Sequence, residues 1–234
     1  MPEPAPTAAH PATRPATAPW QVHLPNALTL LRVAMAALFV ALIALRSRPF
    51  PTGTSIPDAP PDAPPDAGLL LAGTLFVLAA LTDALDGYLA RKWSVVSKFG
   101  RIMDPFADKV LVLGAFVMLA GPAFTSASGD LVSGVAPWMV VVILARELLV
   151  TSIRAALEGD GIDFSAGWAG KAKMVLQSVV VPLILILLAW GAPARGSAIA
   201  WAIDIAVWAT VVATILSGIP YITRAISATR KPAT

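Results

Sequence analysis

Long apolar stretches separated by short polar segments run through most of this chain. They predict six helices, at about 27–45, 68–90, 105–120, 137–157, 170–189 and 199–221. Each is close to the roughly 20 residues with which a helix crosses a bilayer. Lipid offers no partner to an unpaired backbone group, so spans of this kind must be helical. The pattern therefore predicts an all-α, polytopic membrane protein with six transmembrane helices.

The polar segments divide the chain further. Residues 1–19 are rich in proline and alanine and predict a disordered tail, and residues 20–24 predict an interfacial segment before the first helix. Residues 46–67 form a loop with a Pro/Asp repeat, in which proline favours an extended, solvated chain. We expect a six-helix domain over 20–223 and a basic tail over 224–234.

Composition agrees with a membrane protein and gives its orientation. The chain is 57% hydrophobic and 13% charged, against about 25% charged in soluble domains. Its net charge of +3 is too small to suggest a nucleic-acid partner. With six spans, only Arg46, Arg48 and Arg195 among the basic residues lie on the side away from the termini. The positive-inside rule then predicts both termini in the cytoplasm, and we expect a multi-pass protein of the cell (inner) membrane.

Four aspartates stand out, because charges in membrane helices are costly and usually functional. Asp83 and Asp86 are three residues apart, and Asp104 and Asp108 are four apart, so each pair lies on one helical face. A short cytoplasmic loop joins the pairs and should bring them together. Asp104 alone could be a helix N-cap before Pro105, but caps do not explain all four. Clustered carboxylates need cations, and oxygen ligands suit Mg²⁺ or Mn²⁺.

These aspartates belong to a longer motif. Asp83, Asp86, Gly87, Ala90, Arg91, Gly100, Asp104 and Asp108 match the pattern D-x2-D-G-x2-A-R-x8-G-x3-D-x3-D at every fixed position. In this motif the chain resembles the CDP-alcohol phosphotransferases. The resemblance implies a six-helix fold, usually dimeric, with a site open to the cytoplasm and two divalent ions.

The resemblance also implies residue roles. Asp83, Asp86 and Asp104 would bind metal and the CDP diphosphate. Asp108 would contact metal and act as the base that deprotonates the attacking alcohol. Gly87, Arg91 and Gly100 would border the CDP group, where the absence of a glycine side chain lets backbone approach a ligand.

Basic residues on later segments predict a second anion site on the same side. They are Arg101, Arg146, Arg154, Lys171 and Lys173. Beside a metal site that holds a diphosphate, such a cluster suggests a phosphorylated alcohol. Two alternatives stay open, since Lys171 and Lys173 could merely anchor their helix at the head groups, and Arg146 could simply pair with Glu147.

Four stretches, 24–32, 104–109, 145–147 and 170–173, resemble the phosphatidylglycerophosphate synthase branch of that family. In that branch Arg146, Lys171 and Lys173 would hold the phosphate of glycerol 3-phosphate. Asn26 and Thr29 would lie with Arg32 at the mouth of the site, near the CDP group. The branch usually has threonine where this chain has Met174.

The resulting hypothesis is transfer of a phosphatidyl group from CDP-diacylglycerol to glycerol 3-phosphate, with release of CMP. A sister transferase would instead use phosphatidylglycerol, giving cardiolipin, or inositol phosphate. An ion-coupled transporter is a distant alternative, since it should carry its charges at the bilayer midplane in repeated halves. We expect membrane lipids and a second copy of the chain as partners. Asp204, a lone acid in the sixth helix, has no predicted role.

Overall fold

The computed structural model describes residues 19–46, 64–93, 98–126, 129–159, 168–194 and 196–229. Residues 1–18 of the predicted disordered tail, most of the Pro/Asp repeat and the last residues of the basic tail lie outside these ranges. The helices are α1 (Pro19–Arg46), α2 (Ala67–Trp93), α3 (Lys98–Leu119), α4 (Pro137–Gly159), α5 (Trp168–Ala189) and α6 (Ala198–Thr229). A short 3₁₀ turn, Pro122–Phe124, follows α3.

The all-α prediction is confirmed for the described part of the chain, in which the only extended pairing is a single bridge between Thr125 and Leu131. Four helices, α1, α2, α5 and α6, are long and apolar enough to cross a membrane. The other two carry more charge: α3 contains Asp104, Asp108 and Lys109, and α4 contains Arg146 and Glu147. These charges form the candidate site described below.

Three helix boundaries differ from the prediction. α1 begins at Pro19, so residues 20–24 are continuous with the first helix and are not a separate segment. α3 begins at Lys98, which places Asp104 inside the helix and excludes the N-cap alternative. α6 continues to Thr229, into the predicted tail. These three helices contain the internal prolines Pro25, Pro105 and Pro220. A proline removes one backbone donor without ending a helix that packing supports.

The helices pack around an apolar core. α1 contacts α2 and α3, α2 contacts α5, and α6 contacts α4 and α5. Phe39 and Phe76 meet edge to face with ring centroids 6.0 Å apart, in a core that also contains Phe116 and Leu185. Large apolar side chains also cover the outer surface: Ile205, for example, is 65% exposed. A helical bundle that is apolar on both its inside and its outside is expected to face lipid.

One polar contact joins three helix ends at the edge of the Pro/Asp loop. Arg46, at the end of α1, forms a bidentate ion pair with Asp66, in which Nη1 donates to Oδ1 over 2.9 Å. Asp66 caps α2 by accepting from the backbone N–H groups of Gly68 and Leu69, at 2.9 and 3.1 Å. Its own N–H donates to the carbonyl of Ala189 over 2.6 Å. The last aspartate of the repeat is therefore structural, although the repeat as a whole suggested a solvated spacer.

Candidate active site

The first aspartate pair lies against α1 and is paired with an arginine. Arg32 is fully buried, and its Nη1 lies 2.6 Å from Oδ1 of Asp83. Its other terminal nitrogen forms an ion pair with Asp86. Asp86 is buried and Asp83 is about one third exposed. One guanidinium group thus bridges two carboxylates one helical turn apart, a contact that the planar fork of arginine favours.

The two aspartates of the second pair, Asp104 and Asp108, have different surroundings. Thr29, which is buried on α1, donates a hydrogen bond from Oγ1 to Oδ1 of Asp104 over 2.7 Å. Asn26 lies one turn earlier on α1 and is partly buried. Asp108 lies one turn further along α3 and lines a polar cavity instead. α1 therefore contributes to both aspartate pairs through Thr29 and Arg32.

The four carboxylates are neighbours, but they do not converge on one point. Asp83 is close enough to interact electrostatically with both Asp104 and Asp108. Even so, the described residues include no group of three or more acidic or histidine side chains arranged to hold a metal ion. The donors are all oxygens, which suit Mg²⁺ or Mn²⁺, and a cation, the Arg32 guanidinium, already bridges one pair. The donor chemistry fits divalent metal, and binding would require the side chains to turn toward a shared ion.

The polar cavity has a volume of about 380 Å³ and lies between α3, α4, α5 and α6. Its charged lining residues are Asp108, Lys109, Arg146, Glu147, Arg154 and Lys173. Four cations face two carboxylates, which leaves an excess of two positive charges. Basic side chains from three different helices therefore surround one carboxylate of the motif, Asp108.

Glu147 pairs with two of these cations, a role that the sequence pattern did not predict. Its Oε1 accepts from Nη1 of Arg146 over 2.7 Å and also pairs with the ammonium group of Lys173. Arg146 further contacts the carbonyl of Ser217 at 3.4 Å and lies over the ring of Tyr221, 5.7 Å from its centroid. The proximity of Glu147 to Arg146 in sequence was the available signal. Its bridge to Lys173 depends on how α4 packs near α5.

The predicted phosphate-binding residues are only partly gathered in this cavity. Arg146, Arg154 and Lys173 line it, whereas Lys171 is exposed and does not. The side chain of Arg101 lies outside the described residues. Among the residues expected to border CDP, Gly87 and Gly100 are partly buried, while the side chain of Arg91 is also outside the described part.

An apolar groove adjoins the motif on the outer surface between α2 and α5. It has a volume of about 540 Å³ and runs from Asp83 and Met174 toward Val77 and Ile186. The α5 side from Met174 to Ile186 covers about 18 Å at 1.5 Å per residue. Met174 also lines the polar cavity. The residue that departs from the branch pattern thus lies where the cavity and the groove meet.

Comparison with known proteins identifies the family of this chain. The sequence model of the CDP-alcohol phosphatidyltransferase family matches residues 22–216. A CDP-diacylglycerol–glycerol-3-phosphate 3-phosphatidyltransferase of Bacillus subtilis is 35% identical over 86% of this chain and 94% of its own length. A probable phosphatidylglycerophosphate synthase of Mycobacterium tuberculosis is 34% identical over 87% of this chain and 82% of its own length. The motif, the all-helical architecture and these relatives lead to one conclusion: the chain belongs to the CDP-alcohol phosphatidyltransferase family.

Proposed function

We propose that this protein transfers the phosphatidyl group of CDP-diacylglycerol to glycerol 3-phosphate, making phosphatidylglycerophosphate and releasing CMP. The observation that carries this proposal is the polar cavity, in which Asp108 lies beside Arg146 and Lys173. A base for an alcohol and cations for a phosphate thus share one cavity. The name of the Bacillus subtilis relative specifies the same donor and acceptor, and the name of the Mycobacterium tuberculosis relative specifies the same product.

The charge of the cavity supports an acceptor that carries a phosphate. A phosphate monoester has a charge of about −1.5 to −2 at neutral pH, close to the excess of two positive charges on the lining residues. An uncharged acceptor such as inositol would leave these cations uncompensated. The volume of about 380 Å³ is within the range of small-molecule sites.

In the proposed reaction Asp108 accepts the proton of the acceptor hydroxyl. The hydroxyl oxygen then attacks the phosphorus that bears the diacylglycerol. The new oxygen–phosphorus bond forms as the bond from that phosphorus to the bridging oxygen breaks, and CMP leaves with the electron pair. Arg146 and Lys173 hold the acceptor phosphate and so orient its hydroxyl, a contribution of positioning and electrostatics that is typical of phosphoryl transfer.

The donor would lie between the motif and the lipid. Asp83, Asp86, Asp104 and Asp108 are the proposed ligands of Mg²⁺ or Mn²⁺, and Asn26, Thr29, Gly87, Arg91 and Gly100 would border the CDP group. Bound metal would supply charge neutralisation at the diphosphate. The apolar groove that begins at Asp83 provides an apolar surface next to the reacting head group. A lipid donor could therefore keep its acyl chains in the bilayer while its diphosphate reaches the carboxylates.

We further propose that all six helices cross the inner membrane, with both termini and the site on the cytoplasmic side, and that the protein forms a homodimer. Of the charges that set α3 and α4 apart, Asp108, Lys109, Arg146 and Glu147 line the polar cavity and need not face lipid. Asp104 accepts a hydrogen bond from Thr29 of α1 instead. The basic residues cluster on the side of the motif, which supports a cytoplasmic site.

CMP release tests the function directly. Purified protein with Mg²⁺ or Mn²⁺ and CDP-diacylglycerol should release CMP when glycerol 3-phosphate is added, and a chelator should stop the reaction. The same assay with phosphatidylglycerol or inositol phosphate tests the sister transferases. If CMP is released with one of these and not with glycerol 3-phosphate, that compound is the acceptor instead. If no acceptor gives CMP, the transferase function is refuted.

A further inference from the structure

Arg32 is the only described side chain that forms ion pairs with two aspartates of the motif. It is fully buried on α1, and its two terminal nitrogens contact one oxygen each of Asp83 and Asp86. The two carboxylates lie one turn apart, and both also interact electrostatically with Asp104. Two negative charges one helical turn apart, one of them buried, destabilise the folded state unless a cation compensates them.

We propose that Arg32 is the built-in counterion of the Asp83–Asp86 pair. It compensates the two carboxylates when no divalent ion is bound, and its own charge weakens the binding of that ion. The inference rests on the proposed function, because the proposed metals bind the same carboxylates. Arginine suits the role, since it stays charged at every physiological pH and cannot neutralise itself by losing a proton.

The two parts of the proposal have the same electrostatic origin. Before metal arrives, removal of Arg32 would leave the buried carboxylate of Asp86 and the partly exposed carboxylate of Asp83 close together without their cation. When a divalent ion approaches, the guanidinium repels it over a few ångströms. Even with water-like screening, this repulsion corresponds to about a tenfold change in affinity. Loss of Arg32 should therefore destabilise the metal-free protein and tighten metal binding together.

A purely orienting role predicts the opposite sign. If Arg32 served only to aim the carboxylates at the metal, its loss would weaken metal binding. The chain offers a matched control in Arg46, which lies on α1 like Arg32 and forms a bidentate ion pair with Asp66. Arg46 is fourteen residues from Arg32, or about 21 Å along α1, too far to influence the motif strongly.

The experiment uses the full chain in lipid nanodiscs after treatment with a chelator. Thermal unfolding is followed by tryptophan fluorescence, and Mn²⁺ binding by the electron spin resonance signal of free Mn²⁺. Arg32→Gln should lower the Tm of the metal-free protein and lower the Kd for Mn²⁺ about tenfold. Arg32→Lys, which keeps the charge, should have a Kd near that of the wild type, and Arg46→Gln should lower the Tm with an unchanged Kd.

An unchanged or weaker Mn²⁺ affinity in Arg32→Gln would overturn the proposal. If this variant folds only when Mn²⁺ is present, the proposal is supported, because the metal then replaces the missing counterion. Failure to fold even with saturating Mn²⁺ would overturn it. Failure of the proposed function gives a different result from failure of this proposal. It would be seen in the wild type, before any variant is compared, as an absence of both Mn²⁺ binding and CMP release.

Discussion

Lys173 and Lys171 lie two residues apart on α5, but the structure gives them different surroundings. Lys173 is 6% exposed, lines the polar cavity and pairs with Glu147. Lys171 is exposed and does not line that cavity. If Lys173 binds the acceptor phosphate, Lys173→Met removes the ammonium while it keeps most of the side-chain volume. Lys171→Met makes the same chemical change at a position outside the cavity.

The expected loss follows from the contact that disappears. A hydrogen bond between charged partners contributes about 1.5–3 kcal/mol, and each 1.4 kcal/mol is about a factor of ten. Lys173→Met should therefore lower kcat/KM for glycerol 3-phosphate roughly 10- to 150-fold, mainly through a higher KM. The loss should fall toward the upper end, because Glu147 would keep its negative charge near the phosphate with one partner fewer.

The assay is the initial rate of CMP release as glycerol 3-phosphate is varied at saturating CDP-diacylglycerol. The KM for the donor should stay within about twofold of the wild-type value, since Lys173 forms its ion pair with Glu147 and not with an aspartate of the motif. Lys171→Met should change both constants by less than about threefold, as expected for a surface charge. Equal losses in the two variants, or an unchanged KM for the acceptor in Lys173→Met, would refute the proposed role of the cavity.

A second substitution separates binding from folding. Lys173→Met removes one of the two cations that pair with Glu147 and leaves it the pair with Arg146. A buried charge that is incompletely compensated destabilises a protein. Adding Glu147→Gln should recover much of the lost Tm without restoring the KM for glycerol 3-phosphate. If the KM recovers together with the Tm, Lys173 acts through the fold and not through contact with the acceptor.

Three further predictions address the base, the residue at the junction and the groove. Asp108→Asn should abolish CMP release while CDP-diacylglycerol still binds, because an amide cannot accept the proton of the alcohol. Met174→Thr, which introduces the residue usual in the branch, should raise kcat/KM for glycerol 3-phosphate by a few fold or leave it unchanged, since Met174 lines the cavity without charge. Ala80→Phe should fill the apolar groove and raise the KM for long-chain CDP-diacylglycerol about tenfold, with less effect on a short-chain donor. Ile205→Phe is the control for the groove, because Ile205 is exposed elsewhere on the apolar surface.

Each of these three predictions would be refuted by a specific result. Turnover at the wild-type rate in Asp108→Asn, followed as CMP release, would remove Asp108 from the role of base. A large loss of activity in Met174→Thr would mean that the methionine itself contributes to acceptor binding. Equal changes in donor KM for long and short chains, or the same change in Ile205→Phe, would show that the groove does not hold an acyl chain.

Much of the fold could be predicted from the sequence, because apolar helices in lipid leave a strong one-dimensional signal. The number of helices and their type follow from the lengths of the apolar stretches and from the need to satisfy backbone groups. Their ends were less predictable. Pro105 suggested the start of a helix, yet α3 begins at Lys98 and includes it. A proline costs one backbone hydrogen bond, and the packing of the whole helix outweighs that local cost.

The sequence alone also determined the family and the residues of the motif, since the spacing of Asp83, Asp86, Asp104 and Asp108 is a property of the chain. Only the tertiary structure decided their partners. Arg32 forms ion pairs with Asp83 and Asp86 because α1 packs against α2. Glu147 of α4 likewise pairs with Lys173 of α5. Helical positions two apart point in different directions, so either Lys171 or Lys173 could have faced the site. The neighbouring helices selected Lys173, and their arrangement is not encoded in any local stretch of sequence.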